Sequence, residues 1–201
     1  MYFSTWFGVS RVVVVGTHRL SAGQVEQAAR VPMGRPIIRV DAGSIQRRVA
    51  GIVQLSSVVV TTQWPHTVQI TVVERTPAAV VKLSDGGYAL IDRDGVQLGR
   101  LSVRPPALPL LALDPATTAP ATLRAAASVA ASLTPRLAAK VRSITAQTAN
   151  SVVLSLINGT IVRWGDATQG AIKDEVLAAL MKRHAPVYDV SAPYAPIMAK
   201  A

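Results

Sequence analysis

The chain contains no cysteine. Disulfide bonds, thiolate metal sites and a cysteine nucleophile are therefore excluded. Aromatic residues make up only 4% of the 201 residues, whereas hydrophobic residues of all kinds make up 50%. A hydrophobic core must therefore consist mainly of aliphatic side chains, and the abundance of valine and alanine favours strands packed under alanine-rich helices.

Acidic residues are also scarce, because the sequence has 11 Asp and Glu against 21 Lys and Arg, a formal net charge of +10. A basic chain can bind nucleic acid, anionic lipid or acidic partners. The basic residues are scattered, however, and aromatic residues do not alternate with them as a base-stacking platform requires. We therefore interpret the charge as a solvated basic surface, with attraction to an anionic membrane as the next alternative and with no nucleic-acid partner.

The sequence has no stretch of about 20 mostly apolar residues, the length that a transmembrane helix needs. The segment Met1–Phe7 is nevertheless rich in Tyr, Phe and Trp, which are typical of a membrane–water interface. We expect residues 1–8 to be the outer remnant of a transmembrane helix, and an ordinary apolar N-terminus is the alternative. No cleavable signal-peptide pattern is present.

Residues 9–77 carry the signals of a small α+β module. Ser21 with Gln24 predicts a capping box at the start of one helix, and Asp41 predicts the cap of a second helix. β-Branched runs before and after them predict three strands. The order is β-α-α-β-β, with strands expected at Arg11–Gly16, Ser57–Thr62 and Thr67–Val73.

Residues 78–192 are predicted to form a larger β-sheet domain with flanking helices. Turn residues divide it into a meander, a Pro/Ala-rich segment and a further group of strands, in which Asn158-Gly159 indicates a tight hairpin. We expect helices at Thr122–Leu133 and Asp166–His184, the second with a core stripe of Ile172, Val176, Leu177 and Leu180. A short last strand is expected at Val187–Ser191, and Pro193 and Pro196 predict that residues 193–201 form an irregular tail.

The sequence shows no constellation of catalytic or metal-binding residues. His18, His66 and His184 are far apart and have no partner at metal-ligand spacing. Asp92 and Asp94 precede Gly95, which favours a tight turn over a carboxylate pair. We therefore predict a protein that is not an enzyme and has no metal, cofactor or small-molecule substrate.

The order β-α-α-β-β, closed by Trp64-Pro65 and Glu74-Arg75-Thr76-Pro77, resembles a POTRA domain of the FtsQ/DivIB bacterial cell-division family. Further motifs extend the resemblance over nearly the whole chain, in a form similar to actinobacterial members: Ile91–Val96, Leu154–Gly159, Trp164-Gly165 and Tyr188-Asp189-Val190-Ser191. The resemblance implies an N-terminal POTRA domain followed by the β domain of this family.

The resemblance also implies a function and a location. Members are single-pass proteins of the cytoplasmic membrane, with this region on the extracytoplasmic side at the division septum. They act as divisome scaffolds, and their β domain binds FtsB-like and FtsL-like proteins through its last sheet edge, where a partner strand can be added. We place that edge at Val187–Ala192, supported by the hairpin Val152–Trp164.

The candidate partner-binding residues share a position at or beside this expected edge: Val187, Tyr188, Asp189, Val190, Ser191, Ala192, Arg163 and Trp164. Ser191 occupies the position at which better-known members carry an arginine that pairs with an acidic partner residue. Arg163 or Lys182 are the candidates to replace that charge.

Two other functions compete with the divisome scaffold. A POTRA-containing transport or export module handles extended polypeptides by the same strand addition, and it would be expected to show several POTRA repeats or a barrel. A basic nucleic-acid or lipid-surface binder rests on charge alone, and its signature would be a steep loss of binding with salt.

Overall fold

The computed structural model of the chain describes residues 7–199. It divides into two compact units, Met1–Arg75 and Thr76–Ala201, and each has its own hydrophobic core. Most of the predicted membrane-helix remnant, residues 1–6, lies outside the described residues. Within the described part of the chain, no helix is long and apolar enough to cross a membrane.

The first unit has the predicted order of elements, β-α-α-β-β. A 3-10 turn, Ile37–Arg39, precedes the second helix. Among the residues described, its sheet has the strand order β1-β3-β2, with β1 parallel and β2 antiparallel to the central β3. The elements are β1 (Arg11–Val15), α1 (Ala22–Ala29), α2 (Ala42–Ala50), β2 (Leu55–Gln63) and β3 (Thr67–Glu74).

Side-chain caps fix where the two helices of the first unit begin. Ser21 Oγ accepts a hydrogen bond from the Gln24 N–H at 3.2 Å, and Gln24 Oε1 accepts one from the Ser21 N–H at 2.9 Å. This reciprocal pair is the predicted capping box. Asp41 Oδ1 accepts from the Ser44 N–H at 3.0 Å and caps α2 as predicted. The capped helices bury one face against the sheet, in a core that includes Val25, Ala29, Ile45, Val49, Val68, Ile70 and Val72.

The second unit is built on one mixed sheet. Among the described residues its strand order is β12-β11-β10-β9-β8-β7-β4-β5-β6. The strands are β4 (Pro77–Lys82), β5 (Tyr88–Asp92), β6 (Gln97–Leu101), β7 (Leu110–Leu111), β8 (Val141–Ala146), β9 (Val152–Leu156), β10 (Ile161–Gly165), β11 (Val187–Asp189) and β12 (Ile197–Ala199). The helices are α3 (Pro120–Ser132), α4 (Pro135–Ala138) and α5 (Gly170–Leu180).

One row of cross-strand neighbours runs along the helix-covered face of this sheet. Register partners link Val81, Leu111, Ile144, Leu154, Val162, Tyr188 and Met198 in that order. All are buried except Met198. Alanine-rich α3 packs on β4, β5, β8 and β9, and its small side chains allow a close approach to the sheet. The row therefore forms the spine of the core and ends at the β12 edge.

The last helix differs from the prediction. It runs over 11 residues from Gly170 to Leu180 rather than from Asp166 to His184, and Gln169 holds the N-cap position. Asp166 does not cap it, because its carboxylate accepts hydrogen bonds from the Thr168 N–H and from Lys173 Nζ.

The predicted core stripe of this helix is also partly wrong. Leu177 is buried, and Val176 and Leu180 are half-buried against the core, but Ile172 is exposed. The neighbouring Lys173 takes the inward position instead, because its ammonium finds hydrogen-bond partners there.

The prediction that residues 193–201 form an irregular tail is wrong for Ile197–Ala199. Residues Ile197–Ala199 form β12, antiparallel to β11. The two prolines do not end the structure, because Pro193 is the second residue of a turn in which the Ala195 N–H donates to the Ala192 carbonyl at 2.9 Å, and Pro196 follows this turn. This turn reverses the chain and returns it to the sheet.

Candidate partner-binding edge

The predicted edge strand is an inner strand. Residues Val187–Asp189 form β11, which pairs in parallel with β10 on one side and antiparallel with β12 on the other. The prediction that Val187–Ala192 forms the sheet edge is therefore wrong, because β12 covers β11. Among the residues that the structure describes, the free edge at the C-terminal end of this sheet is β12 itself.

Three of the predicted contact residues are buried and cannot meet a partner. Tyr188 lies in the core, where its hydroxyl donates to the Arg183 carbonyl at 2.6 Å and accepts from the Ala185 N–H at 3.2 Å. Val190 and Trp164 are fully buried. These side chains hold β10 and β11 in the sheet, so their role is structural.

The segment after β11 is fixed by short-range contacts. Asp189 Oδ1 accepts from the Ser191 N–H at 3.0 Å and from the Ser191 hydroxyl at 2.6 Å. Gly165 has a φ of +79°, and a Cβ added to it would lie 2.8 Å from the Ser191 Cβ. The end of β10 thus supports the turn that leads into β12. Ser191 and Ala192 are exposed.

The hydrogen-bond pattern shows which backbone groups face outward. The Ile161 N–H donates to the Pro186 carbonyl and the Val190 N–H donates to the Arg163 carbonyl, so Tyr188 between them directs its N–H and C=O toward β10. Its neighbours in β11 must direct theirs toward β12. Met198 is the register partner of Tyr188 and therefore points its own N–H and C=O away from β11, toward the free edge.

Apolar side chains surround this edge. Met198 is 39% exposed and ends the buried row described above, while Ile197 on the opposite face is 60% exposed. Tyr194, in the preceding turn, is also exposed. A strand added to β12 would continue the row and cover Met198, so backbone groups and apolar surface are offered together.

The two basic candidates lie at different places. Arg163 is exposed and shares a row with Asp189 and Ile197 on the face opposite the helices. Lys182 lines an open cavity of about 450 Å³ together with Arg136, Lys140 and the buried Asp174. In the part of the chain that the structure describes, no group of three or more His, Asp or Glu side chains could hold a metal ion.

Sequence reasoning missed Ile197 and Met198 as edge residues. The signal was the apolar triplet Ile197-Met198-Ala199, which is too short to identify a strand by periodicity.

The two units match two known domain families. Residues 7–75 match the family described as "POTRA domain, FtsQ-type", and residues 79–192 match "Cell division protein FtsQ/DivIB, C-terminal". The second match names the same cell-division family as the first and spans most of the second unit. These matches do not favour the POTRA-containing export module.

Relatives named "Cell division protein FtsQ" are similar over almost the whole chain. The protein of Streptomyces bingchenggensis is 35% identical over 98% of this chain and 77% of its own length. That of Mycobacterium tuberculosis (strain ATCC 25618 / H37Rv) is 36% identical over 98% of this chain, which spans 62% of that relative. For Mycolicibacterium smegmatis the identity is 38%, over 98% of this chain and 58% of the relative.

One solved structure is partly similar to this chain. It is the major extracytoplasmic domain of the trans isomer of the cell-division protein DivIB from Geobacillus stearothermophilus. It is 15% identical with a TM-score of 0.40, over 55% of this chain and 98% of that chain. The chain belongs to the FtsQ/DivIB family of bacterial cell-division proteins.

Proposed function

We propose that this chain is a non-enzymatic scaffold of the divisome that binds the extracytoplasmic segments of FtsB-like and FtsL-like proteins by strand addition at β12. Membership of the cell-division family supports the divisome role. The free edge of β12, with the backbone of Met198 directed outward, is the observation that carries the mechanism. The proposal places this region outside the cytoplasmic membrane at the septum, anchored by a membrane helix outside the described residues.

The side chains must supply most of the binding energy. A strand paired with the three residues of β12 gains about two backbone hydrogen bonds, each worth on the order of 1 kcal/mol net. Burial of exposed apolar surface contributes about 25 cal/mol per Å². We therefore expect a partner strand with large apolar residues that cover Met198 and Ile197.

A salt bridge to Arg163 is a poor basis for recognition at this edge. β11 and β12 separate Arg163 from an added strand, a distance of about 14 Å at the usual strand spacing of about 4.8 Å. Arg163 can therefore reach only residues that flank the added strand. Ser191, at the position of the family arginine, supplies no charge either. Apolar contacts and backbone pairing are the recognition that we propose.

The test is a titration of the chain with the FtsB–FtsL extracytoplasmic segments of the same organism. Met198→Pro removes the outward N–H and leaves the β11–β12 hydrogen bonds in place, because proline is tolerated on an edge strand when its nitrogen faces solvent. Met198→Ala is the matched control, since it removes the same side chain and keeps the N–H. We expect an affinity loss of tenfold or more for the proline variant and a smaller loss for the alanine variant.

Circular dichroism and a thermal melt establish that both variants are folded. Equal affinities of a folded Met198→Pro variant and the unmodified chain would exclude strand addition at β12. A proline in β11 or just after it, such as Val190→Pro, would not test strand addition. The Val190 N–H donates to the Arg163 carbonyl at 2.9 Å, and the Val190 side chain is fully buried. Such a change would disturb the fold together with the edge.

A further inference from the structure

Three loops meet at one end of the first unit. They are the segment Phe7–Ser10, the loop of residues 33–39 and the β2–β3 turn of residues 64–66. The Val9 N–H donates to the Arg35 carbonyl at 2.9 Å, and the Gly34 N–H donates to the Val9 carbonyl at 2.8 Å. The Ser10 N–H donates to the His66 carbonyl at 3.0 Å. Backbone hydrogen bonds therefore hold the three loops side by side.

Each of these loops exposes a large apolar side chain. Ile38 is 78% exposed and Trp64 is 63% exposed, while Phe7 and Met33 are each about half exposed. The rings of Phe7 and Trp64 meet edge to face with their centroids 5.9 Å apart. We call these four side chains the loop patch. Exposed apolar groups collected in this way indicate an interaction surface rather than scattered surface residues.

The charged residues within these three loops are all basic, and the acid closest to them is Asp41, which lines a cavity together with Arg35. Arg11, Arg35 and Arg39 are exposed in or next to these loops, and residues 7–11, 33–39 and 63–67 contain no Asp or Glu. The nearest acid in the sequence is Asp41, whose carboxylate caps α2 through Ser44. The other acids of this unit are Glu26 on α1 and Glu74, which accepts backbone N–H groups from His18 to Leu20.

We propose that the loop patch rests on a membrane surface that contains anionic lipid, with Trp64, Ile38 and Phe7 at the headgroup level and Arg35 and Arg39 at the lipid phosphates. Tryptophan at the interface and arginine beside it are the composition that this environment favours. The inference does not depend on the proposed partner of β12.

A bilayer fits the loop patch better than a protein partner does. The four side chains project from three loops, and the neighbouring cavity that Pro32 and Arg35 line is lined by none of the four. Protein partners usually require pockets for their anchor residues, whereas a fluid interface does not. The sequence that precedes Phe7 includes Tyr2, Phe3 and Trp6, which are residues of the same interfacial type.

Vesicle binding of the whole chain tests the proposal. The probes are vesicles of phosphatidylglycerol and phosphatidylcholine in equal amounts, and vesicles of phosphatidylcholine alone. We expect binding to the anionic vesicles that weakens as salt is raised. Arg35→Gln with Arg39→Gln should lower the partition coefficient more than tenfold, since each arginine near such a surface contributes about fivefold. Ile38→Ser with Met33→Ser should lower it severalfold.

Two matched pairs separate the loop patch from general properties of the chain. Arg136→Gln with Lys182→Gln removes the same charge from the second unit. Val59→Ser with Val73→Ser removes exposed apolar side chains from the sheet of the first unit. We expect both pairs to bind anionic vesicles within about twofold of the unmodified chain, because membrane affinity follows the residues that lie near the surface.

The absence of cysteine makes a second, site-specific readout possible. Ile38→Cys labelled with an environment-sensitive fluorophore should show a blue shift and brighter emission with anionic vesicles. Val73→Cys with the same label should show neither. A bound chain without a shift at position 38 would overturn the proposal.

Two other outcomes would overturn the membrane proposal. One is the absence of vesicle binding. The other is an equal loss of vesicle binding in the patch variants and in the matched control pairs, which would show that binding depends on net charge alone. Self-association that only the patch variants abolish, without vesicle binding, would show that a second copy of the chain covers the loop patch.

Discussion

Lys173 Nζ lies 2.7 Å from Asp166 Oδ1, and the lysine side chain is 1% exposed whereas the aspartate side chain is 42% exposed. The ammonium also donates to the Asp166 carbonyl at 3.0 Å. Hydrogen bonds from Lys173 and Thr168 hold the pKa of Asp166 below its usual value. A half-exposed residue thus supplies both the charge and the backbone oxygen that a buried cation requires.

Replacement of Asp166 by asparagine should destabilise the second unit. The change leaves the Lys173 ammonium buried without an opposite charge, and we expect a loss of about 2 kcal/mol in the free energy of unfolding. Lys173→Met, which removes the buried charge and keeps much of the volume, should cost less. Urea unfolding of both variants gives the comparison, and a larger loss for Lys173→Met would contradict this account.

Glu74 at the end of β3 should make the first unit sensitive to acid. Burial opposes ionisation of this carboxylate, but backbone N–H donors of His18, Leu20 and Arg19 outweigh it and lower its pKa from the usual 4.5. A carboxyl group with a lowered pKa contributes stability above its unfolded pKa, and this contribution is lost as pH falls through the folded value.

Glu74→Gln tests this contribution. The variant should be less stable than the unmodified chain by about 1–2 kcal/mol at pH 7, because hydrogen bonds to a charged group are lost, and the difference should shrink below about pH 4. Glu26→Gln removes the same charge from an exposed position on α1 and should have little effect. Urea unfolding at several pH values measures both, and a difference for Glu74→Gln that does not change with pH would be the contrary result.

Gly165→Ala should weaken both the second unit and the proposed partner edge at β12. The new Cβ would lie 2.8 Å from the Ser191 Cβ at a φ of +79°, so it would displace the turn that leads into β12. Gly159→Ala is the control, since its φ is +88° and nothing lies within 4 Å of the added atom. The control carries only the backbone cost, of about 1 kcal/mol. We expect Gly165→Ala to cost more and to lower partner affinity, and equal effects would show that the Ser191 contact is unimportant.

The features that were predicted correctly from the sequence depend on interactions between residues close together in the chain. The capping box of Ser21 and Gln24 needs only residues three apart, and so does the Asp41 cap. The turn at Asp92 is similar, because its Oδ1 accepts the Asp94 and Val96 N–H groups. Each of these structures depends on hydrogen bonds within a few residues, so the residues themselves are sufficient to predict it.

The errors concern groups that have several possible partners. Asp166 has the chemistry of an N-cap, but its Oδ1 instead accepts from Thr168 and from Lys173 seven residues away. The burial of Lys173 could not be predicted from helix periodicity, which expects an apolar residue there. The position of the sheet edge depended on β12, whose three residues gain stability only from pairing with β11. The order of strands in a sheet is a property of such pairings and not of any one segment.

Tyr188 and Met198 are register partners, but substitutions of the two should have different effects. One should lower the free energy of unfolding, and the other should lower partner affinity. Tyr188→Phe leaves the Arg183 carbonyl and the Ala185 N–H without the hydroxyl, which we expect to cost about 1–2 kcal/mol of unfolding free energy. Its ring is buried, so affinity for the FtsB–FtsL segments should not change. Met198→Ala should show the opposite pattern, with lower affinity and little loss of stability, because Met198 is partly exposed at the free edge. Unfolding and titration experiments on both variants decide the matter: a loss of affinity in stably folded Tyr188→Phe would return the partner site to β11.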